Sequence, residues 1–318
     1  MNKRRTYPKP QEEWGWQVAV DLYLAGMGAG ALVIGLLIDW LGYFPYSTRA
    51  ILLWGPILVT IGAPFLILKL GIKRRFLNTI LNPKTSWLSR GFYVLSLCSI
   101  VGLAIFGISI LPLLGINISN WSSILLILDI VGFTLALAVA IYQGILVQSV
   151  RYVPFWNTSL LPVLFTVSAL STGAMGIILS VLVYSIITPS GGYPAHLINI
   201  LLHTEQALIL IEVFVLGLYL FLRYKGEEEG KSSVRLLLSG DMKFVFWIGI
   251  IISGFLLPLI LEGIYSLFHE YHFLLFITGA FLLMGGFFLR YGVVYAGIKK
   301  QHPLQNLMED HYYPETLK

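Results

Sequence analysis

"QVAVDLYLAGMGAGALVIGLLIDW", residues 17–40, decides what kind of protein this is. Its only charged residues are Asp21 and Asp39, and everything else is apolar, small or an uncharged polar group. A helix of this length crosses the roughly 30 Å of a bilayer's hydrocarbon core. The run lacks the two-residue alternation of a barrel strand, so a helix is expected. It is also too long, and too poor in a small-residue cleavage site, to be a removed signal peptide.

The same pattern recurs along the chain. Further apolar runs lie at about 49–71, 88–112, 121–150, 158–187, 196–223, 243–267 and 271–298. Apolar residues make up 57% of the 318 and charged residues 12%, about half the charged share of a soluble domain. The fold class is therefore all-α: a polytopic membrane protein of eight transmembrane helices. "AGMGAGALVIGLL" in the first run is echoed by "STGAMGIILSVL" in the fifth. The echo suggests two four-helix bundles, residues 17–150 and 151–298, between an N-terminal tail (1–16) and a C-terminal tail (299–318).

With eight spans, both termini share one side. That side and its helix ends are expected to carry every Lys and Arg except Arg49. The positive-inside rule makes it the cytoplasmic side of a cell membrane. Basic residues spread over membrane loops are no nucleic-acid footprint. One cysteine, Cys98, is too few for an iron–sulfur cluster. Of the six histidines only His203 lies a turn or more inside a span, so no haem or metal site is expected. The acidic stretch "YKGEEEGKSS", 224–233, reads as a solvated hinge between spans six and seven.

Ionisable residues inside spans cost about 2.5–3.5 kcal/mol each on insertion scales, so each needs a reason. Asp21 lies one or two turns inside the N-terminal side, and at 100° per residue Gly28, Gly35 and Asp39 share its face. Glu205, Glu212, Tyr219 and Arg223 form a stripe on the sixth span. Glu212 falls near mid-membrane with no basic residue at its depth on that helix, and it is expected to be neutral. Asp129 and Glu262 lie toward the far surface. By depth, Asp21, Glu212, Asp129, Glu205, Glu262 and Asp39 form a ladder that could carry protons. Tyr142, near the depth of Asp21, would complete a donor–acceptor pair for the two oxygens of a quinone, with Tyr23 and Gly28 beside it.

Several segments together resemble the NrfD/PsrC-like family of polysulfide-reductase-type membrane subunits. They are "YLAGMGAGA" in the first span, "RFLNTILNPKTSWLSRG" before the third, "YQGILVQS" ending the fourth, "VPFWNTSLLPVLFTVSALSTG" leading through the fifth, and "LRYGVVYAG" in the last. The resemblance implies an eight-helix protein without bound haem or cluster. Such a protein exchanges electrons between an exchangeable quinone or menaquinone and an iron–sulfur subunit, which serves a molybdopterin catalytic subunit. It implies a quinone pocket near the partner side, with a polar group early in span one and a tyrosine late in span four; Asp21 and Tyr142 match. Val18 stands where relatives carry a further polar residue, and Lys69-Leu70-Gly71 where many read Asp-Leu-Gly. Relatives often present this face to exported partners, against the cytoplasmic side that the basic residues indicate.

Quinone chemistry is thus expected beside Asp21 and Tyr142, with the cluster subunit docking around Trp87, Arg90, Arg151 and Trp156. The alternative is a secondary transporter that uses the intramembrane acids for ion coupling.

Overall fold

The small residues of the first span set the architecture. The structure, a computed structural model, describes residues 10–43, 46–69, 86–116, 118–188, 195–268 and 272–300. Helix α1 (Trp16–Trp40) is the axis, packed against α2 (Gly55–Lys69), α4 (Ser122–Gln148), α5 (Leu160–Ile187) and α9 (His272–Tyr295). In a bilayer lipid tails are as apolar as leucine, so helices associate by close packing, and small residues permit it. A Cβ on Gly28 would strike the backbone oxygen of Gly55, and one on Gly35 that of Leu52. The two echoing glycine-rich stretches cross each other. Gly30 lies against the carbonyl of Ala169, and Gly173 against Gly30 and Ala31.

Helix α3 (Trp87–Ile110) packs on α2 and α4, and α6 (Ala195–Lys225) on α5. Their outer faces expose Leu97, Ile100, Leu210 and Phe214, as lipid-facing surfaces should. Among the described residues eight helices are long and apolar enough to cross a membrane, as expected from the sequence. The protein is therefore a multi-pass membrane protein.

Two elements depart from expectation. The supposed hinge contains an amphipathic helix, α7 (Glu228–Leu238), which buries Gly230, Ser233, Val234 and Leu237. These positions follow the i, i+3, i+4, i+7 pattern of one helix face, which the preceding acidic run obscures. The seventh span begins as a π-helix, Val245–Leu256, and becomes α-helical only in α8 (Leu257–Leu267). Pro258 sits where the winding changes, and it offers no N–H to the carbonyl four residues earlier. The π-helix approaches α9 so closely that a Cβ on Gly254 would lie 3.2 Å from the Cα of Gly285.

The N-terminal side is closed by contacts distant in sequence. Pro10 pairs with Ile298 in an isolated β-bridge. The Gln11 amide donates to the carbonyls of Trp14 (2.8 Å) and Val294 (3.0 Å). The Trp156 indole donates to the Val293 carbonyl at 2.7 Å, and the Tyr219 hydroxyl to that of Phe155 at 2.8 Å.

Candidate functional site

Three helices converge just inside the N-terminal side. Helix α1 supplies Asp21, 2% exposed, and α4 supplies Tyr142 and Gln143, 6% and 2% exposed. Gly91 of α3 completes the arrangement, since a Cβ there would occupy the space of the Tyr142 phenol. Asp21 is an electrostatic neighbour of Tyr142, so the two residues paired by depth do share one site. Asp21 Oδ1, the Tyr142 hydroxyl and both polar atoms of the Gln143 amide have no hydrogen-bond partner among the described residues. Buried polar groups are nearly always satisfied, and a cluster of exceptions marks a place built for a polar ligand. An acid, a phenol and an amide together offer a proton acceptor and two neutral donors.

The sequence alone did not reveal Arg290. It lies on α9, fully buried, and not at the helix end where the charge count placed it. Its Nε donates to the Leu22 carbonyl at 3.3 Å, and Nη1 donates to Ser168 Oγ at 2.7 Å and the Gly286 carbonyl at 2.9 Å. The guanidinium also lies 5.6 Å from the Phe165 ring centroid and 5.8 Å from that of Tyr23. Nη2 has no partner among the described residues. It faces Gln143 over Gly26, where a Cβ would come within 2.5 Å of Gln143 Oε1 and 3.2 Å of Nη2. Glu212 is the acid paired with this cation: Ser168 stands in hydrogen-bonding range of its carboxyl, with Arg290 on the other side. The basic partner missing from the helix of Glu212 comes from α9.

The remaining acids fall into two groups. Arg49, 1% exposed, turns inward and holds Asp39 at 3.1 Å and Asp129 at 2.8 Å. Arg49 is thus an internal counter-ion, not a loop charge. Glu205 and Glu262 face each other at hydrogen-bonding range, 0% and 1% exposed, and Ser171 Oγ donates to Glu205 Oε1 at 3.3 Å. A cavity of about 10 Å³, lined by Ser171, Thr172, Glu212, Gly254, Phe255 and the α9 residues Leu282, Gly285 and Gly286, lies between Ser171 and Glu212.

Three expected site residues stand elsewhere. Gly28 belongs to the α1–α2 crossing, and Gly26 is the glycine that leaves room beside the site. Tyr23 points to α9, edge-on to Phe287 at 5.8 Å and close to Arg290. Trp156 is fully buried against Trp14 and cannot meet a partner; it supports the surface from beneath. Trp87 and Arg90 are exposed, the guanidinium 4.6 Å from the indole, and Arg151 is exposed on the loop after α4. Most of the basic 2–3 loop, with Phe76, Asn82 and Pro83, lies outside the described residues.

The surface near Arg151 carries a polar clamp. Glu13 accepts from Tyr152 at 2.7 Å and pairs with Lys299 at 2.5 Å. These two partners hold the Glu13 carboxyl below its ordinary range. The Tyr152 hydroxyl is pushed up to about 12, first by burial and then by Glu13.

This constellation sits in a protein whose residues 7–300 match the family model "Polysulphide reductase, NrfD". The chain belongs to this family. It is 28% identical over 312 residues to the C subunit of polysulfide reductase from Wolinella succinogenes, covering 89% of the present sequence and 94% of that protein. It is 25% identical over 314 residues to the NrfD homolog of Haemophilus influenzae, covering 91% and 95%, and 26% identical over 311 residues to NrfD of Escherichia coli, covering 89% and 94%. The match runs through all eight spans, so the resemblance carried by the five sequence segments extends over the whole membrane domain.

Proposed function

We propose that this protein is the quinone-reactive membrane subunit of an oxidoreductase complex. It passes electrons between a membrane quinone pool and an iron–sulfur subunit that serves a molybdopterin catalytic subunit. The observation that carries the reading is the set of unpartnered buried polar atoms on Asp21, Tyr142 and Gln143, a shallow site on the N-terminal side. A quinone needs a mostly apolar slot with few, well-placed polar groups at its two oxygens. Tyr142 and Gln143 can donate to the ring oxygens, and Asp21 can take the proton that a quinol hydroxyl releases on oxidation. The quinone supplies the two-electron chemistry; the protein binds it, orients it and holds the proton. Kinship with the C subunit of a polysulfide reductase supports membership of a multi-subunit complex.

Electron exit is assigned to the same side. Trp87, Arg90 and Arg151 are exposed there and form the docking surface for the cluster subunit, over a site shallow enough for direct transfer. The decisive experiment replaces the two groups separately in the intact complex. Asp21→Asn and Tyr142→Phe should each lower quinol-dependent electron transfer by about 10²–10⁴-fold, the usual worth of a positioned acid or base. The other subunits should still copurify in normal proportion. Wild-type rates in both variants would refute the reading.

A further inference from the structure

Buried carboxyls that the quinone site does not use are joined by small groups into a line. At one end His203 is exposed and Gln206 half-buried, about two turns from the end of α6 opposite the N-terminal side. Both stand beside Glu262. No described donor reaches either Glu262 oxygen, nor Oε2 of Glu205. Two carboxylates are acceptors only, so a proton on one of them is what joins the pair. Ser171 donates to Glu205 Oε1 and borders the small cavity, whose opposite wall includes Glu212. A polar cavity of that size matches one water. The π-helix forms another wall through Gly254 and Phe255. Beyond Glu212 come Ser168 and then Arg290.

We propose that Glu262, Glu205 and Glu212 form a proton-conducting arm that opens past His203 on the face opposite the N-terminal side, with Arg290 as its inner stop. A proton accepted by Glu262 crosses to the Glu205 carboxylate. Ser171 then takes it on oxygen while releasing its own hydroxyl proton into the cavity, and Glu212 receives it there. No bond other than O–H is made or broken, and no electrons move. The proton goes no further because arginine keeps its charge and repels a second cation. Neutralising Glu212 removes the counter-charge of Arg290. The cation then acts on the other side, where Nη2 faces Gln143 and the Asp21–Tyr142 site. The arm and the quinone site therefore communicate by charge. Asp39 and Asp129 stand outside the arm, held by Arg49.

This inference rests on the quinone reading, and two measurements keep them apart. The purified complex, reconstituted in vesicles containing a pH-sensitive dye, is driven with a short-chain naphthoquinol as donor and ferricyanide as acceptor. Glu205→Gln and Glu262→Gln should lose the transmembrane proton movement per electron, whereas Asp39→Asn should keep the wild-type ratio. Wild-type ratios in both glutamine variants overturn the arm. Absence of naphthoquinol oxidation by the wild-type complex counts against the quinone site instead. The arm is then read by infrared spectroscopy of the resting complex, which needs no turnover. A protonated-carboxyl band present in the wild type and lost in both glutamine variants supports it; a wild type without that band overturns it. Glu205→Asp, which retains an acid, should keep the band and so separates loss of the proton from loss of packing.

Discussion

At the scale of single residues, the sequence identifies chemistry better than it identifies neighbours. Asp21 and Tyr142 could be paired because each lies at a depth countable from its own helix end, and both prove to line one site. Arg290 escaped because its partners are Leu22, Ser168 and Glu212, on three other helices. Nothing in the local pattern of α9 marks which way its side chain turns. The glycine assignment failed for the same reason. Gly26 and Gly28 look equivalent on a line, yet one borders the site and the other a backbone crossing. Substitution separates them. Gly28→Ala should destabilise the protein by about 1–3 kcal/mol, as overpacking does, because the obstacle is the α2 backbone. A fall in melting temperature in detergent reads this. Gly26→Ala meets the end of the Gln143 side chain and should mainly impair quinol oxidation, with melting little changed.

Among elements, α1 and α4 are fastened by Arg49, which joins Asp39 of one to Asp129 of the other. A buried ion pair adds little net stability over apolar packing, but removing one partner strands a charge and costs about 3–5 kcal/mol. Arg49→Gln should therefore lower the melting temperature sharply. Replacing all three residues with apolar ones of similar size should recover most of the loss. Recovery absent in the triple variant would show that the group does more than fasten helices. Lengths and order of the spans were legible because hydrocarbon thickness fixes them. The π-helix was not, since its winding is set by tight packing on α9 and by Pro258, and composition carries no mark of either.

For the whole molecule, the N-terminal side is a surface assembled from segments far apart in sequence. Glu13, Tyr152 and Lys299 tie three of them together. Because the Glu13 carboxyl is held below its ordinary range, the clamp is complete above that range and is lost as the pH falls through the lowered value. Hydrogen exchange of residues 10–14 should therefore accelerate at acid pH after correction for intrinsic rates. Glu13→Gln should show the faster exchange already at neutral pH. The bridge from Pro10 and Gln11 to residues 294–298 has a further consequence for biogenesis. The first part of the protein to leave the ribosome finds its backbone partners only after the last helix has entered the bilayer. Until then α1 lacks Arg290 beside it, and the nascent bundle holds an acid-rich interior without its main cation. A polypeptide that stops before α9 should be surrendered to membrane proteases, however well its earlier helices have inserted.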